Sequence, residues 1–537
     1  MVCGRSGKRG KVVRWACVFF IIHASHFSSV AGGKHPRSYS IENPRYQSIV
    51  IARVGSHRIT AREFLLSYAF GPAFPKREKH SRAEYLNYMI YEKLLALDGY
   101  KHRVDTTEDA RLSLAEMEGD LATEELYKHD VLSKVRVSEK AIQLGISQER
   151  QTCTVKWLYT KSRSMLQTLN DELAVGVSFD SLFRLQFVDT TVKVDDRSME
   201  LSRFRIGMRN PQLARILDTL PVHHVSAPLQ TPDGYYIVYL EDAERDVMLN
   251  ESENTKLHED VKRALVQHLA DSLSDRYVGH VMAEHHPTIE RGTLDILQVH
   301  FAKIMLSPAQ FDGWELVSRL IERWGPVQYE NVDPALVLVR AGRIIFTAGD
   351  FLNWYRAREE NLKFTLSTPE GMFASLESCV WQMVRDRLLT QMAFKRGFQH
   401  AGRVKEQLAW WKDKIVYNIL KAQMEDALHP SDTSLQSYYR EHQKDFRDTS
   451  GAIIPFARAK DDVLRSWFAF ETTKATVHRV LKLKEEYHIE IDDRRLEQLT
   501  VDTENDPRAI DVYVTKPGGI FPRPAFPTID YSWQTWN

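Results

Sequence analysis

The segment Ile51-Ala52-Arg53-Val54-Gly55-Ser56-His57-Arg58-Ile59-Thr60-Ala61-Arg62-Glu63-Phe64 returns far downstream as Leu338-Val339-Arg340-Ala341-Gly342-Arg343-Ile344-Ile345-Phe346-Thr347-Ala348-Gly349-Asp350-Phe351. Each copy spells a short strand, a glycine turn, a second short strand and a Thr placed to N-cap a helix. Glu63 or Asp350 stands at the third position after that Thr, as in a capping box. A chain that repeats a whole supersecondary unit must build its core from copies of that unit.

Three more landmarks recur in the same order. Tyr85 to Ala96 carries apolar residues at helical spacing and stops near Gly99; Leu376 to Leu389 does the same before Gly397. The helix opening Ser138-Glu139-Lys140-Ala141-Ile142-Gln143 is matched by Ser431-Asp432-Thr433-Ser434-Leu435-Gln436, each with an N-capping Ser. Glu284-His285-His286-Pro287-Thr288-Ile289, with Leu294 and Leu297, is matched by Glu486-Tyr487-His488-Ile489-Glu490-Ile491, with Leu496 and Leu499. The first copy is longer because residues 150–245 are inserted after its Ser138 helix.

Composition narrows the function classes. The 72 basic and 72 acidic side chains balance, so there is no overall field for a polyanion, and nucleic acid drops down the list of partners. A 43% hydrophobic fraction supports real cores, and 537 residues allow roughly three or four domains. The cysteines Cys3, Cys17, Cys153 and Cys379 are too scattered for a disulfide framework or a Cys-x-x-Cys metal site, and pairing of Cys153 with Cys379 stays open. No nucleophile elbow, phosphate loop or paired-histidine metal motif occurs, and neither a cofactor nor a metal is expected.

The N-terminus reads as an address. Arg5, Lys8, Arg9, Lys11 and Arg14 precede the apolar run Trp15 to Ile22, and Ser29-Val30-Ala31 offers a small-residue cleavage site before Gly32. His23, Ser25 and His26 keep that run short of a bilayer span, so residues 1–31 read as a signal peptide of an exported chain, a membrane anchor being the alternative. The expected organisation is then 48–149 a helical segment, 150–245 the inserted domain, 246–334 a helical closing segment and linker, 335–503 the second helical unit, and 504–537 a proline- and aromatic-rich tail of turns and polyproline. The fold class is mainly α with an inserted α+β domain. Single aromatics of the helical parts, such as Trp410, Trp411, Tyr438 and Tyr439, read as core packing.

Within the insertion, residues 153–160 read as a strand, Arg163–Val175 as an amphipathic helix ended at Gly176, and Phe179–Gln186 as a short helix. Leu201–Phe204, a Gly207-Met208 turn, a helix over Pro211–Asp218, Val225 to Leu229 and a strand over Gly234–Leu240 follow. On the opening strand and helix, Gly176-Val177-Ser178-Phe179, Gly207-Met208, Val225 to Thr231 and Asp233 to Ile237, the insertion resembles the parvulin family of peptidyl-prolyl isomerases. The flanking units resemble the N-terminal helical chaperone region of SurA-type periplasmic foldases.

Rotation about an Xaa-Pro bond crosses a barrier of about 18–20 kcal/mol, and catalysing it takes an apolar pocket for the ring plus polar groups that favour the twisted amide. The resemblance implies a histidine on the first strand, another on the last, a nearby Cys or Asp, and Met and Phe in the pocket. Carried over, these fall at Trp157, Tyr236, Asp189, Met208 and Leu213, so both histidines are replaced. His223 and His224 lie in the turn before Val225 and read as surface residues. The resemblance therefore implies a periplasmic chaperone that holds unfolded or extended polypeptides, outer-membrane proteins in transit among them, without ATP and with a degenerate isomerase domain. The alternatives are an active isomerase built on the remaining pocket and a structural subunit of an envelope complex.

Overall fold

The computed structural model describes residues 45–72, 74–77, 80–186, 194, 197–245, 251–359, 362–499, 520–522 and 524–535. The signal-peptide reading of 1–31, with Cys3 and Cys17, lies outside the described residues. In chain order the first elements are α1 (Arg45–Ser48), β1 (Val50–Val54), β2 (His57–Thr60), α2 (Ala61–Phe70), α3 (Ser81–Lys101), α4 (Glu108–Asp130) and α5 (Glu139–Glu149). The insertion contributes β3 (Gln151–Thr160), α6 (Arg163–Ala174), α7 (Phe179–Leu185), β4 (Ser198–Ser202), α8 (Arg203–Arg209), α9 (Pro211–Leu217), β5 (Leu229–Thr231) and β6 (Gly234–Arg245). Then come α10 (Glu251–His285), β7 (Thr288–Ile289), α11 (Arg291–Met305), α12 (Pro308–Gly313), α13 (Glu315–Trp324) and α14 (Pro326–Glu330). The second copy holds β8 (Val337–Ala341), β9 (Ile344–Thr347), α15 (Ala348–Arg356), α16 (Pro369–Lys395), α17 (Gly402–Asp426), α18 (Asp432–Glu441), α19 (Phe456–Glu486), β10 (Ile489–Ile491) and α20 (Asp493–Gln498). No helix among the described residues is long and apolar enough to cross a membrane.

Two compact units form. One takes in residues 45–125, 287–499 and 522–535; the other takes in 126–286 with 520–521.

In the first unit the hairpin is present twice and in the same detail. Gly55 and Gly342 turn at φ +57° and +61°, a backbone region that favours glycine, and β1 and β8 carry a register shift at the same place. At Gly55 an added Cβ would also fall 3.1 Å from the Tyr487 ring. Thr60 accepts from the Glu63 N–H, and Thr347 forms a full capping box with Asp350.

The copies do not close on themselves. β10, from the end of the second copy, pairs with β1, placing Ile491 opposite Ala52; β7, from the end of the first, pairs with β8, placing Ile289 opposite Val339. The resulting sheets run β10-β1-β2 and β7-β8-β9. The exchange extends to the helices. In α3 an added Cβ on Gly99 would sit 2.4 Å from Val416 Cγ1 of α17, and in α4 one on Gly119 would sit 3.0 Å from Thr390 Cγ2 of α16. Each hairpin is thus completed by elements from the other copy.

The core around the first hairpin joins Ile51, Val54, Phe64, Tyr68, Tyr85 and Leu94 to Val416, Tyr417, Val480, Leu483, Ile529 and Trp533. Ile529 and Trp533 belong to the segment expected to be a tail of turns, so 524–533 is a seated part of the core; residues 504–519 lie outside the described residues. Cys153 and Cys379 are both buried free thiols, and burial pushes that of Cys379 up to about 11.

Candidate functional site

The inserted segment forms a four-stranded antiparallel sheet of order β4-β3-β6-β5. Side chains of β3 and β6 alternate between its faces. Leu158 and Ile237 face α7, packing with Phe179, Leu182 and Phe183. Cys153, Val155, Val238 and Leu240 face the other way, onto Ile206 of α8 and Leu213 and Leu217 of α9, with Trp157 packed at the border of that cluster.

Trp157 lies opposite Val238 and Tyr159 opposite Tyr236. The two tyrosine rings meet with centroids 5.0 Å apart at 50°. The Arg197 guanidinium lies 4.8 Å from the Tyr159 ring centre, a cation–π distance. Below them the tight turn from β5 to β6 presents Asp233: the Tyr159 hydroxyl donates to its carbonyl at 2.8 Å, the Tyr236 hydroxyl donates to its Oδ2, and Thr231 Oγ1 donates to its Oδ1 at 2.6 Å.

Loss of water around Tyr236, followed by the adjoining Asp233 carboxylate, pushes its phenol up to about 12. Asp233 is held below the ordinary carboxylate range by the Thr231 hydroxyl and then the Tyr236 hydroxyl. At neutral pH Tyr236 is therefore protonated and Asp233 ionised. The pair offers a fixed donor and a fixed acceptor, and neither group exchanges a proton near pH 7.

Gln186 borders the same strand. On the β4 side of β3, beyond the Trp157 N–H that donates to the Arg197 carbonyl at 3.0 Å, no strand pairs among the described residues, and the Gln186 side-chain amide bonds there: Oε1 accepts from Tyr159 N–H at 3.0 Å and Nε2 donates to the Trp157 carbonyl at 3.2 Å. A single side chain satisfies a donor and an acceptor that an exposed strand edge leaves open.

Of the pocket residues named from sequence, Trp157, Leu213 and Tyr236 share one face of the sheet. Met208 does not join them. It packs with Ile142, Phe204 and Val261, against α5 and α10. The reason is local: Gly207 and Met208 form no turn, because α8 runs through them to Arg209, and the Asn210 side chain then caps α9 by accepting from the Gln212 and Leu213 N–H groups. Asp189 lies outside the described residues. His223 and His224 are exposed, with His223 at φ 63°. Sequence reasoning missed Tyr159, Asp233, Arg197 and Gln186; the period-two spacing of Trp157 and Tyr159 was the available signal for the first.

These elements define the class: a small α+β domain, with one largely apolar face ending in an aromatic and carboxylate cluster, carried in a mainly helical chain. No family model and no curated protein matches the sequence. Among solved structures the chain is similar to peptidylprolyl isomerase PrsA from Bacillus anthracis, at 14% identity and TM-score 0.20, over 35% of this chain and 96% of that one. It is also similar to PrsA from Bacillus cereus, at 18% identity and TM-score 0.22, over 40% of this chain and 83% of that one. A third is the foldase protein PrsA from Streptococcus pneumoniae, at 12% identity and TM-score 0.20, over 38% and 86%.

Proposed function

We propose that the chain is an exported, periplasmic chaperone that holds unfolded polypeptides, outer-membrane proteins among them, and that its inserted domain is a parvulin-type module with weak or no isomerase activity. The observation that supports this reading is the Tyr159–Tyr236–Asp233 cluster, where neither β3 nor β6 carries a histidine. Loss of the histidines leaves an apolar face with one hydroxyl–carboxylate pair at its rim. Such a face suits transient contact with an extended chain. Holding requires no cofactor and no ATP, in keeping with an exported protein.

The test is Xaa-Pro exchange in a short proline peptide, followed by NMR with and without the full chain, beside aggregation of a denatured protein in the same preparation. The expected result is suppressed aggregation with exchange left at its uncatalysed rate. Acceleration comparable to that of an intact parvulin would replace this reading with an active isomerase. In that second reading the Tyr236 hydroxyl, fixed by Asp233, would be the polar group at the twisting amide, and Tyr236→Phe would abolish the acceleration.

A further inference from the structure

Residues 525–530 adopt neither helix nor strand, yet they are seated in the core of the first unit. They are held as a bound peptide is held, by side chains of α3 and α17. The Trp411 indole N–H donates to the Ala525 carbonyl at 3.2 Å, and Glu92 Oε1 accepts both the Asp530 N–H at 2.6 Å and the Trp533 indole N–H at 3.0 Å. The Asp530 carboxylate accepts from Lys421 Nζ at 2.6 Å and from the Tyr417 hydroxyl at 2.9 Å. Burial alone would raise the pKa of this carboxyl; Lys421 and then Lys414 hold it well below the usual range, so it is bound as an anion.

Aromatic contacts supply the rest. Trp533 stacks on Tyr88 with centroids 5.9 Å apart, meets Tyr91 edge-on at 5.9 Å, and is 1% exposed. Phe526 lies 5.3 Å from Phe70. The fit is incomplete. A cavity of about 40 Å³ remains beside Phe526, Pro527 and Thr528, bordered by Ser67, Lys93 and Asp413.

We propose that the groove between α3 and α17 is a binding site for extended polypeptide segments pairing an aspartate with a tryptophan three residues on, and that residues 524–533 are its internal, competing occupant. The cations Lys421 and Lys414 select the acid, Tyr88 and Tyr91 select the aromatic ring, and Glu92 reads a backbone and an indole N–H. The inference rests on the holding function proposed above, giving it one specified site. Displacement of the tail sets the affinity that a client sees, because a site occupied from within the chain is open to others only for the fraction of time the tail is out.

The experiment titrates a fluorescein-labelled synthetic peptide of residues 524–537 into the full chain and into Asp530→Lys, whose tail sets a lysine against Lys421. Asp530→Lys is expected to bind the peptide at least about tenfold more tightly than the native chain, following that competition. Adding Lys421→Glu to Asp530→Lys restores the tail's ion pair with reversed sign and removes the cation that the peptide's aspartate requires, so binding should fall to the native level or below, a reversal that binding through partial unfolding would not show. Equal peptide affinity of the native chain and Asp530→Lys would overturn the proposal. Amide exchange of the native chain gives a second measurement free of any variant: residues 525–533 should exchange faster than the α3 core, and exchange only through global unfolding would equally overturn it. Holding of a carboxymethylated, permanently unfolded protein by the native chain is read separately. Its absence with peptide binding intact defeats the chaperone reading and leaves the site standing.

Discussion

Ile491, near the end of the described chain, is the register partner of Ala52, near its start. The first hairpin therefore depends on the last part of the molecule for its third strand, and the second hairpin depends on β7 from the middle. Deleting residues 487–499 removes β10 together with Leu496 and Leu499 of the first core. The expected outcome is selective: amide protection in 50–60 falls by about tenfold or more, while protection in 337–347 is kept, local opening being confined to the hairpin that lost its partner strand. Exchange mass spectrometry reads both segments at once. Loss in 337–347 instead would mean that each copy closes on its own strand.

The hairpins themselves were legible in the sequence because their determinants are local: Gly55 and Gly342 for the turn, Thr60 and Thr347 for the cap. The Ser138 and Ser431 caps were legible for the same reason, and each side chain accepts the expected N–H. The exchange of closing elements was not. Both copies offer a closing strand that pairs in the equivalent register, Ile491 opposite Ala52 and Ile289 opposite Val339, so local sequence does not say which strand joins which hairpin. The prolines of the tail suggest turns, and residues 525–530 do adopt neither helix nor strand; its seating was not legible because the core that receives Ile529 and Trp533 is assembled from helices far apart in the sequence. The Tyr159–Tyr236 contact needed the pairing register of β3 with β6, which alternation within one strand does not supply.

Asp233 raises the phenol of Tyr236, and that phenol in turn helps to hold Asp233 low. In Asp233→Asn the negative charge that opposes phenolate formation is gone, so Tyr236 should titrate below the value of about 12 that it has in the native chain. The desolvation contribution remains, and the ordinary tyrosine value near 10 should not be fully reached. Resolved tyrosine Cζ resonances followed from pH 9 to 12.5 give the shift. An unchanged titration would show that Tyr236 does not donate to Asp233.

Gln186 bonds the backbone of β3 through both ends of its side-chain amide, and the two hydrogen bonds can be separated. Gln186→Ala leaves the Tyr159 N–H and the Trp157 carbonyl without protein partners and should lower stability by about 1–2 kcal/mol. Gln186→Glu keeps the acceptor for Tyr159 N–H and loses the donor to Trp157. It is expected to retain protection of the Tyr159 amide where Gln186→Ala loses it, by NMR-detected exchange. Equal loss in both variants would assign the edge protection to packing alone.

The Arg358 guanidinium lies 2.7 Å from Glu116 and from Asp120 of α4 and 3.7 Å from Asp386 of α16, with its own side chain 14% exposed. Removing Arg358 takes from the buried Asp120 the cation that pairs it, while Glu116 keeps Arg387 and Asp386 keeps Arg385, so Arg358→Ala should cost about 3–5 kcal/mol at pH 7. Acid should offset part of that loss. Burial, with Asp386 and Glu116 adding to it, lifts the Asp120 carboxyl to about 6 even though Arg358 opposes the shift. Between the unfolded value, about 4, and that raised value the folded state binds the extra proton, so this group's contribution to stability falls as pH rises through the window and levels off above it. Without Arg358 the lift grows, and the decline extends to higher pH. Thermal melts from pH 5 to 8 should therefore show the deficit of Arg358→Ala relative to the native chain widening with pH. In Arg358→Ala combined with Asp120→Asn, which has no proton to lose at that position, much of the widening should disappear. A deficit independent of pH in the single variant would mean that lost packing on Trp354, whose ring lies 5.1 Å from the guanidinium, accounts for the destabilisation.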